Sequence, residues 1–212
     1  AFRSVATEHP RLKMLLVPRH PERFDEVAAL IEKCGLPWLR RSQLDSATSE
    51  QLNDWRILLV DTVGELGGWW GVAELAFVGG SLGSRGGQNM IEPAAYGAAV
   101  TFGPNTRNFR DVTELLLQNQ AAEVVHGQLD LESFLRRGMD ASDGLAEMGR
   151  RAKRLVAEQR GAAERTVGLL RELAGDASNA ARIQRVDGQH EAAVPVRQAG
   201  TSTHSQGRAK SR

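Results

Sequence analysis

The chain has little of several things that decide what a protein can be. It has one cysteine, Cys34. No internal disulfide can form, and the composition fits a reducing compartment. Cys34 lies in a helical pattern just before Gly35, a setting for a small half-buried residue rather than a nucleophile. No apolar run approaches the roughly 20 residues that span a bilayer. The opening stretch AFRSVATEHP lacks the hydrophobic segment of a secretory signal. It also lacks an initiator Met and is helix-like just before a strand, so a fragment beginning inside a longer protein is expected. Net charge is scarce as well: 27 Lys and Arg face 26 Asp and Glu, leaving +1. No global field therefore recruits nucleic acid or an anionic membrane. No cluster of His, Cys, Asp and Glu has metal-ligand spacing, so neither a metal nor another cofactor is expected.

What is present is an alternation of short apolar runs and amphipathic stretches. Leu12–Val17, ending in Pro18, reads as a buried parallel strand. Pro21 to Lys33 reads as a helix: Pro21 suits a first turn, Glu22 and Asp25 suit the positive end of the dipole, and Gly35 terminates it. Leu36–Leu39 reads as a short strand, and Arg40 to Asp54 as a polar loop. Ile57–Val60 is another strand, Gly64 to Trp70 a short helix, and Ala73–Val78, with the apolar run Leu75–Val78, the next strand. Helices are expected over Asn89–Tyr96, Arg107–Asn119 and Leu131–Arg137, with strands at Ala98–Phe102 and Glu123–His126. Residues 142–173 form a long charged helix, or two meeting near Gly161. Strands alternating with helices predict an α/β, Rossmann-like, doubly wound parallel sheet over residues 1–174. Residues 175–212 have no apolar periodicity and are expected to be a disordered polar tail.

One segment carries more chemistry than the rest. Leu75 to Phe109 reads as strand, glycine loop, helix and strand, a parallel βαβ unit. Its loop holds Gly79, Gly80, Gly83, Gly86 and Gly87. Glycines let backbone approach a ligand, and a helix start offers unpaired N–H groups to an anion. Asn89 and Glu92, three apart, can face one ligand together. Open α/β sheets bind ligands at the carboxyl ends of their strands. Three motifs fall there: Pro18-Arg19-His20, then Thr62-Val63-Gly64-Glu65, then the glycine loop. An arginine fork suits phosphate, and a carboxylate suits sugar hydroxyls, so a nucleotide fits the set. Arg107 and Asn108, after the next strand end, are further site-lining candidates.

Each residue also has a plainer reading. Taken alone, Arg19 fits an ion pair with Glu22 or Asp61, and His20 a structural hydrogen bond. Glu65 fits a cap on its own helix, Glu92 a first-turn carboxylate, and Gly86-Gly87 a tight turn. Trp69 and Trp70 read as an apolar pair beside the core or facing another domain. The common rim favours the functional reading of the set.

The order GGS, GGQN, E-P-A-A-x-G and GP-x-x-x-NF resembles one family closely. LLVPRHPERF at Leu15–Phe24 and VDTVGELGGWWGVAELAFVGGS at Val60–Ser81 agree with it, and the likeness runs from the start to about Ala174. It is similar to the donor-binding half of the 3-deoxy-D-manno-octulosonic acid (Kdo) transferases of lipopolysaccharide synthesis. Two positions depart: Gln88, where relatives carry His, and Pro93, after the motif Glu. Gln cannot carry a proton at neutral pH, which argues against acid–base work there.

The resemblance implies the second domain of a two-domain GT-B-type glycosyltransferase, inverting, that moves Kdo from CMP-Kdo to a lipid A precursor. It implies CMP-Kdo contacts at Pro18, Arg19, Val63, Gly64, Glu65, Asn89, Met90, Ile91 and Glu92. Arg19 and the loop amides are expected near the phosphate, and Glu92 on the ribose. The base and the acceptor site are expected in a first domain outside this chain, so the chain by itself has no catalytic residue and is expected to be inactive. The implied location is cytoplasmic, at the inner face of the inner membrane. Two rivals stay open: another nucleotide-sugar transferase or epimerase of the same plan, and a nucleotide-binding module without catalysis.

Overall fold

The structure, a computed structural model, describes residues 1–140 and 143–186. Residues 1–163 form one compact unit, and the described residues from 164 on belong to a second. Among the described residues there are six short strands, all in the first unit, with helices between and after them. In chain order these are α1 (Phe2–Glu8), β1 (Met14–Leu16), α2 (Phe24–Glu32), β2 (Trp38–Arg40), α3 (Ser49–Asp54), β3 (Ile57–Leu59) and α4 (Leu66–Trp70). They continue with β4 (Leu75–Val78), α5 (Ile91–Tyr96), β5 (Ala99–Phe102), α6 (Arg110–Gln118), β6 (Ala122–Val124), α7 (Gln128–Met139) and α8 (Asp143–Val186).

All pairing is parallel, as buried apolar runs joined by helices require. The strands form two three-stranded ladders, in the orders β1-β3-β2 and β4-β5-β6. Leu15 pairs with Leu58, and Leu39 with the same Leu58 from the other side. In the second ladder Val100 lies between Ala76 and Ala122. The two central strands are the most apolar. Ile57, Leu58 and Leu59 are almost fully buried, and so are Ala99, Val100, Thr101 and Phe102. Thr101 is tolerated there because its hydroxyl donates to the Glu123 carbonyl on β6 (3.0 Å).

The largest core cluster lies on the second ladder. Met90 and Ala94 cover it from α5, Leu116 from α6, and Ala152 and Leu155 from α8. Each large side chain there is worth about 1.5–3 kcal/mol in removed apolar surface. A smaller cluster of Ala28, Ile31, Ile57 and Leu59 holds α2 to the first ladder. On α7 and α8, Phe134, Leu145 and Met148 close over Ala99. α1 reaches the fold through Arg56, whose guanidinium donates to the carbonyls of Ala6 (2.8 Å), His9 (3.0 Å) and Leu12 (3.0 Å). These include the last carbonyls of a helix, which have no partner within it.

Some expectations change. The stretch expected to be a polar loop, Arg40 to Asp54, holds a 3₁₀ segment, Arg41–Ser46, and the helix α3. The signal was a capping box: Thr48 Oγ1 accepts from the Gln51 amide while the Gln51 side chain accepts from the Thr48 amide. The last strand sits slightly earlier, at Ala122–Val124 rather than Glu123–His126. The long terminal helix continues through Gly161 and past residue 174 to Val186. Residues 187–212, the rest of the expected tail, lie outside the described residues. In the second unit Val167, Leu169, Leu170 and Leu173 of α8 are exposed. Among the described residues no helix is long and apolar enough to cross a membrane.

Candidate functional site

The strand ends of the first unit carry the polar residues that the alternation pointed to. β1 ends at Leu16, and two residues later Pro18 turns the chain so that Arg19 stands exposed. Its Nη1 donates to Oε1 of Gln88 (2.9 Å). That bond ties the end of the first strand to the glycine loop of the second ladder. Neither ion pair considered for Arg19 forms. Glu22 instead lies 3.5 Å from His20 Nδ1, and Asp61 is engaged elsewhere.

After β3 the chain runs Val60-Asp61-Thr62-Val63-Gly64-Glu65. Asp61 is nearly enclosed, its side chain 5% exposed. It accepts from the Ser42 amide (2.9 Å) and hydroxyl (2.7 Å) and faces Arg40 at 3.6 Å. Burial alone pushes the Asp61 carboxyl up. The Ser42 bonds, its own amide and the Arg40 charge together outweigh burial and hold it below the usual carboxylate range. Val63 is 80% exposed, and Gly64 has φ +91° with open space beside it. Glu65 stands at the N-cap of α4 without a side-chain capping bond. It pairs instead with Arg41, at 2.9 Å.

The glycine loop is fastened from both sides. Fully buried Ser81 donates to the Val78 carbonyl (2.6 Å) and accepts from the Gly103 amide (2.8 Å), which clamps the end of β4 to the end of β5. Asn108 donates from its backbone to the Gly86 carbonyl (3.1 Å) and from its side chain to the Arg85 carbonyl (3.0 Å). Gly86 has φ +87°, and a Cβ there would lie 2.8 Å from atoms of Arg107 and Asn108. Glycine is thus required twice, by conformation and by space.

At the start of α5, Asn89 accepts from the Ile91 amide (3.0 Å) and donates to Oε1 of Glu92 (2.9 Å). The other Glu92 oxygen accepts from Trp70 Nε1 at 3.3 Å. Glu92 is therefore an exposed carboxylate held by two donors in one orientation. Ile91 is 40% exposed at its side. Met90 is different. Its side chain is fully buried in the core and accepts from the Thr113 hydroxyl (3.5 Å), so only its backbone can face a ligand.

The structure thus brings Arg19, the glycine loop, Asn89 and Glu92 into one connected network. The segment Val63–Glu65 joins it through α4, whose Trp70 reaches Glu92. Three residues of the network were not singled out in the sequence as functional: Gln88 as the partner of Arg19, Trp70 as a donor, and Arg41. Trp70 also packs against the core, as its plainer reading has it. Arg41 lay in the stretch expected to be loop; ending the second strand at Arg40 instead of Leu39 places it on the rim. Among the described residues no group of His, Cys, Asp and Glu could hold a metal.

Comparison with known proteins now adds to this geometry. No family model matches the chain. A 3-deoxy-D-manno-octulosonic acid transferase from Haemophilus influenzae is 36% identical over 173 residues, 81% of this chain and 39% of that protein. The transferase of the same name from Bordetella pertussis is 45% identical over 102 residues, 48% of this chain and 23% of that protein. Among solved structures, the C-terminal CMP-Kdo binding domain of WaaA from Acinetobacter baumannii superimposes with a TM-score of 0.65. Its identity is 25%, and the match covers 72% of this chain and 78% of that one. This chain is a relative of the 3-deoxy-D-manno-octulosonic acid transferases. Its parallel α/β fold is that of the C-terminal domain of WaaA, as the resemblance implied. The chain spans less than half the length of the Haemophilus and Bordetella transferases it matches.

Proposed function

We propose that this chain is the donor-binding half of a Kdo transferase, which binds CMP-Kdo and presents it for transfer to a hydroxyl of a lipid A precursor. The observation that carries the reading is the bridge between Arg19 and Gln88. It fixes a guanidinium at the point where the β1 rim meets the glycine loop, at Gln88, four residues before a carboxylate, Glu92, that two donors hold in place.

A cytidine monophosphate needs such a pairing. Arg19 and the loop amides face the phosphate, while Glu92 accepts from the ribose hydroxyls. Asn89 orients Glu92 rather than touching the nucleotide through its own acceptor, which the Ile91 amide occupies. Pro18 and the segment Val63-Gly64-Glu65 wall the same rim, Ile91 offers an exposed apolar side, and Met90 contributes through its amide. As the bond to the sugar breaks, negative charge grows on the departing phosphate. A cation already fixed in place stabilises that charge without reorganising.

In this reading the acidic base and the acceptor site belong to another part of the enzyme, which works at the inner face of the inner membrane. The chain alone then binds donor but transfers nothing, because half of the cleft is absent from it.

Calorimetric titration of the chain with CMP, UMP, UDP and cytidine tests the reading. CMP is expected to bind best, with cytidine weaker for want of a phosphate. Equal affinity for CMP and UMP, or no response to CMP, overturns it.

A further inference from the structure

A cavity of about 340 Å³ opens between the glycine loop and the segment that follows β5. Ser84 and Gly86 form one wall; Pro104, Thr106, Arg107 and Arg110 form the other. The two walls are one built piece. The Asn105 amide donates to the Ser81 carbonyl (2.9 Å), and Asn108 donates twice across the gap to Arg85 and Gly86. Gly86 is pressed against the Arg107 stem with no room for a side chain.

What sets the cavity apart is its charge. Both arginines line it, and among the described residues neither forms an ion pair. No lining residue is acidic. Three other arginines of the first unit are matched by acids: Arg23 by Glu26, Arg40 by Asp25 and Asp61, Arg41 by Glu65. Two uncommitted guanidinium forks over a concave polar surface are suited to a planar anion that each can meet with parallel N–H bonds. The volume lies at the small end of the range for organic ligands, roughly 300–1,000 Å³, enough for one sugar ring.

We infer that this cavity seats the carboxylate of a sugar acid, with Arg107 and Arg110 as its cationic partners. The inference rests on the proposed donor reading. An octulosonic acid joined to CMP carries two anionic groups, a phosphate and a carboxylate. The rim offers two separate sets of cations for them: Arg19, bonded to Gln88 of the glycine loop, and the Arg107–Arg110 pair, which lines the cavity with Gly86 of the same loop. The pair then selects acidic sugars over neutral ones, since a neutral ring leaves two guanidinium groups without a counter-charge.

Amide NMR on the full chain tests this, with free 3-deoxy-D-manno-octulosonate, its C1 carboxamide, inorganic phosphate and CMP as separate probes. The octulosonate is expected to move the amides of Gly86, Thr106 and Arg107. The carboxamide, which keeps the ring and loses the charge, is expected to bind at least about tenfold more weakly, the loss that goes with a charged hydrogen bond. Arg107→Gln with Arg110→Gln is expected to weaken the octulosonate by a similar factor and leave CMP affinity unchanged. Equal binding of acid and carboxamide overturns the assignment, and so does an octulosonate response that survives loss of both arginines. Phosphate displacing the octulosonate at these amides with higher affinity also overturns it, in favour of a phosphate site. If CMP binds and the octulosonate moves none of these amides, the cavity assignment fails while the donor reading stands. If the octulosonate binds through the arginines and CMP binds nowhere, the donor reading fails and the cavity assignment stands.

Discussion

The rim of the β1-β3-β2 ladder is joined by ion pairs, whereas the rim of the β4-β5-β6 ladder is joined by backbone amides, a serine hydroxyl and asparagine side chains. On the first, Arg40 bridges Asp25 and Asp61, and Arg41 holds Glu65. On the second, Ser81, Asn105 and Asn108 make the joins, and Arg107 and Arg110 are left over. Charges that pair with one another consume their own binding capacity. A neutral hydrogen-bonded scaffold leaves its cations free for a ligand, at the cost of a tight loop that tolerates few substitutions. The two halves meet at Arg19 and Gln88, one residue from each.

The sharpest way to break this contrast is at Gly103. A Cβ there would lie 2.5 Å from the Ser81 carbonyl oxygen, a backbone atom in a buried clamp. Gly103→Ala is expected to cost about 3 kcal/mol, in the range of overpacked cores. Gly64→Ala, on the other rim, meets nothing within 4 Å and carries only the strain of its positive φ, about 1 kcal/mol. Urea unfolding of the two variants measures the difference; equal losses would mean that the second rim is no more tightly built than the first.

Next in size is Arg19. Arg19→Ala is expected to weaken CMP by about 1.5–3 kcal/mol, the worth of a charged hydrogen bond, or roughly one to two decades. Cytidine affinity should not change. Glu92→Gln should reverse the pattern, weakening CMP relative to its deoxyribose analogue. Calorimetry on both folded variants decides it, and parental affinities in both would return Glu92 to a plain first-turn carboxylate.

A smaller effect, dependent on pH, is expected at Asp61. Its carboxyl sits below the ordinary range, so the stability it adds is complete above the unfolded carboxylate value of about 3.9. That contribution is lost as pH falls through the lower folded value. Asp61→Asn should therefore cost about 1–2 kcal/mol at neutral pH, and the gap to the parent should close in acid. Melting curves from pH 7 to pH 3 check the sign; a gap that widens in acid contradicts the ion-paired account of this rim. The smallest effect belongs to neither rim. Removing Asp176–Arg212 is expected to change stability by less than about 0.5 kcal/mol, since its composition offers little apolar surface to bury. A clear drop in melting temperature would contradict that.

Much of this was legible in the residues. The apolar runs at Ile57–Val60 and Ala98–Phe102 announced the two central strands, because a strand covered on both faces has no polar side to show. Gly86-Gly87 announced a loop, and the structure confirms that Gly86 cannot be replaced without strain and collision. α3 was missed because its amphipathic face is weak, while its cap, Thr48 with Gln51, lay unread in a polar stretch. Met90 was expected in the ligand set on motif alone. Its burial depends on how α5 lies against α6, and no local pattern states that.

By itself the sequence determined the kinds of element and their order, along with the loops that carry chemistry. Apolar periodicity, glycine and helix-start residues act over a few neighbours, so they can be read one after another along the chain. Only the tertiary structure decided which charges are spent and which remain. Arg19 meets Gln88 across 69 residues, Arg41 meets Glu65 across 24, and Arg107 meets no acid among the described residues. These outcomes follow from strand order and loop packing, which place distant side chains within a hydrogen bond of each other or leave them facing open space. Electrostatic pairing reaches only a few ångströms, and that distance is set by the fold.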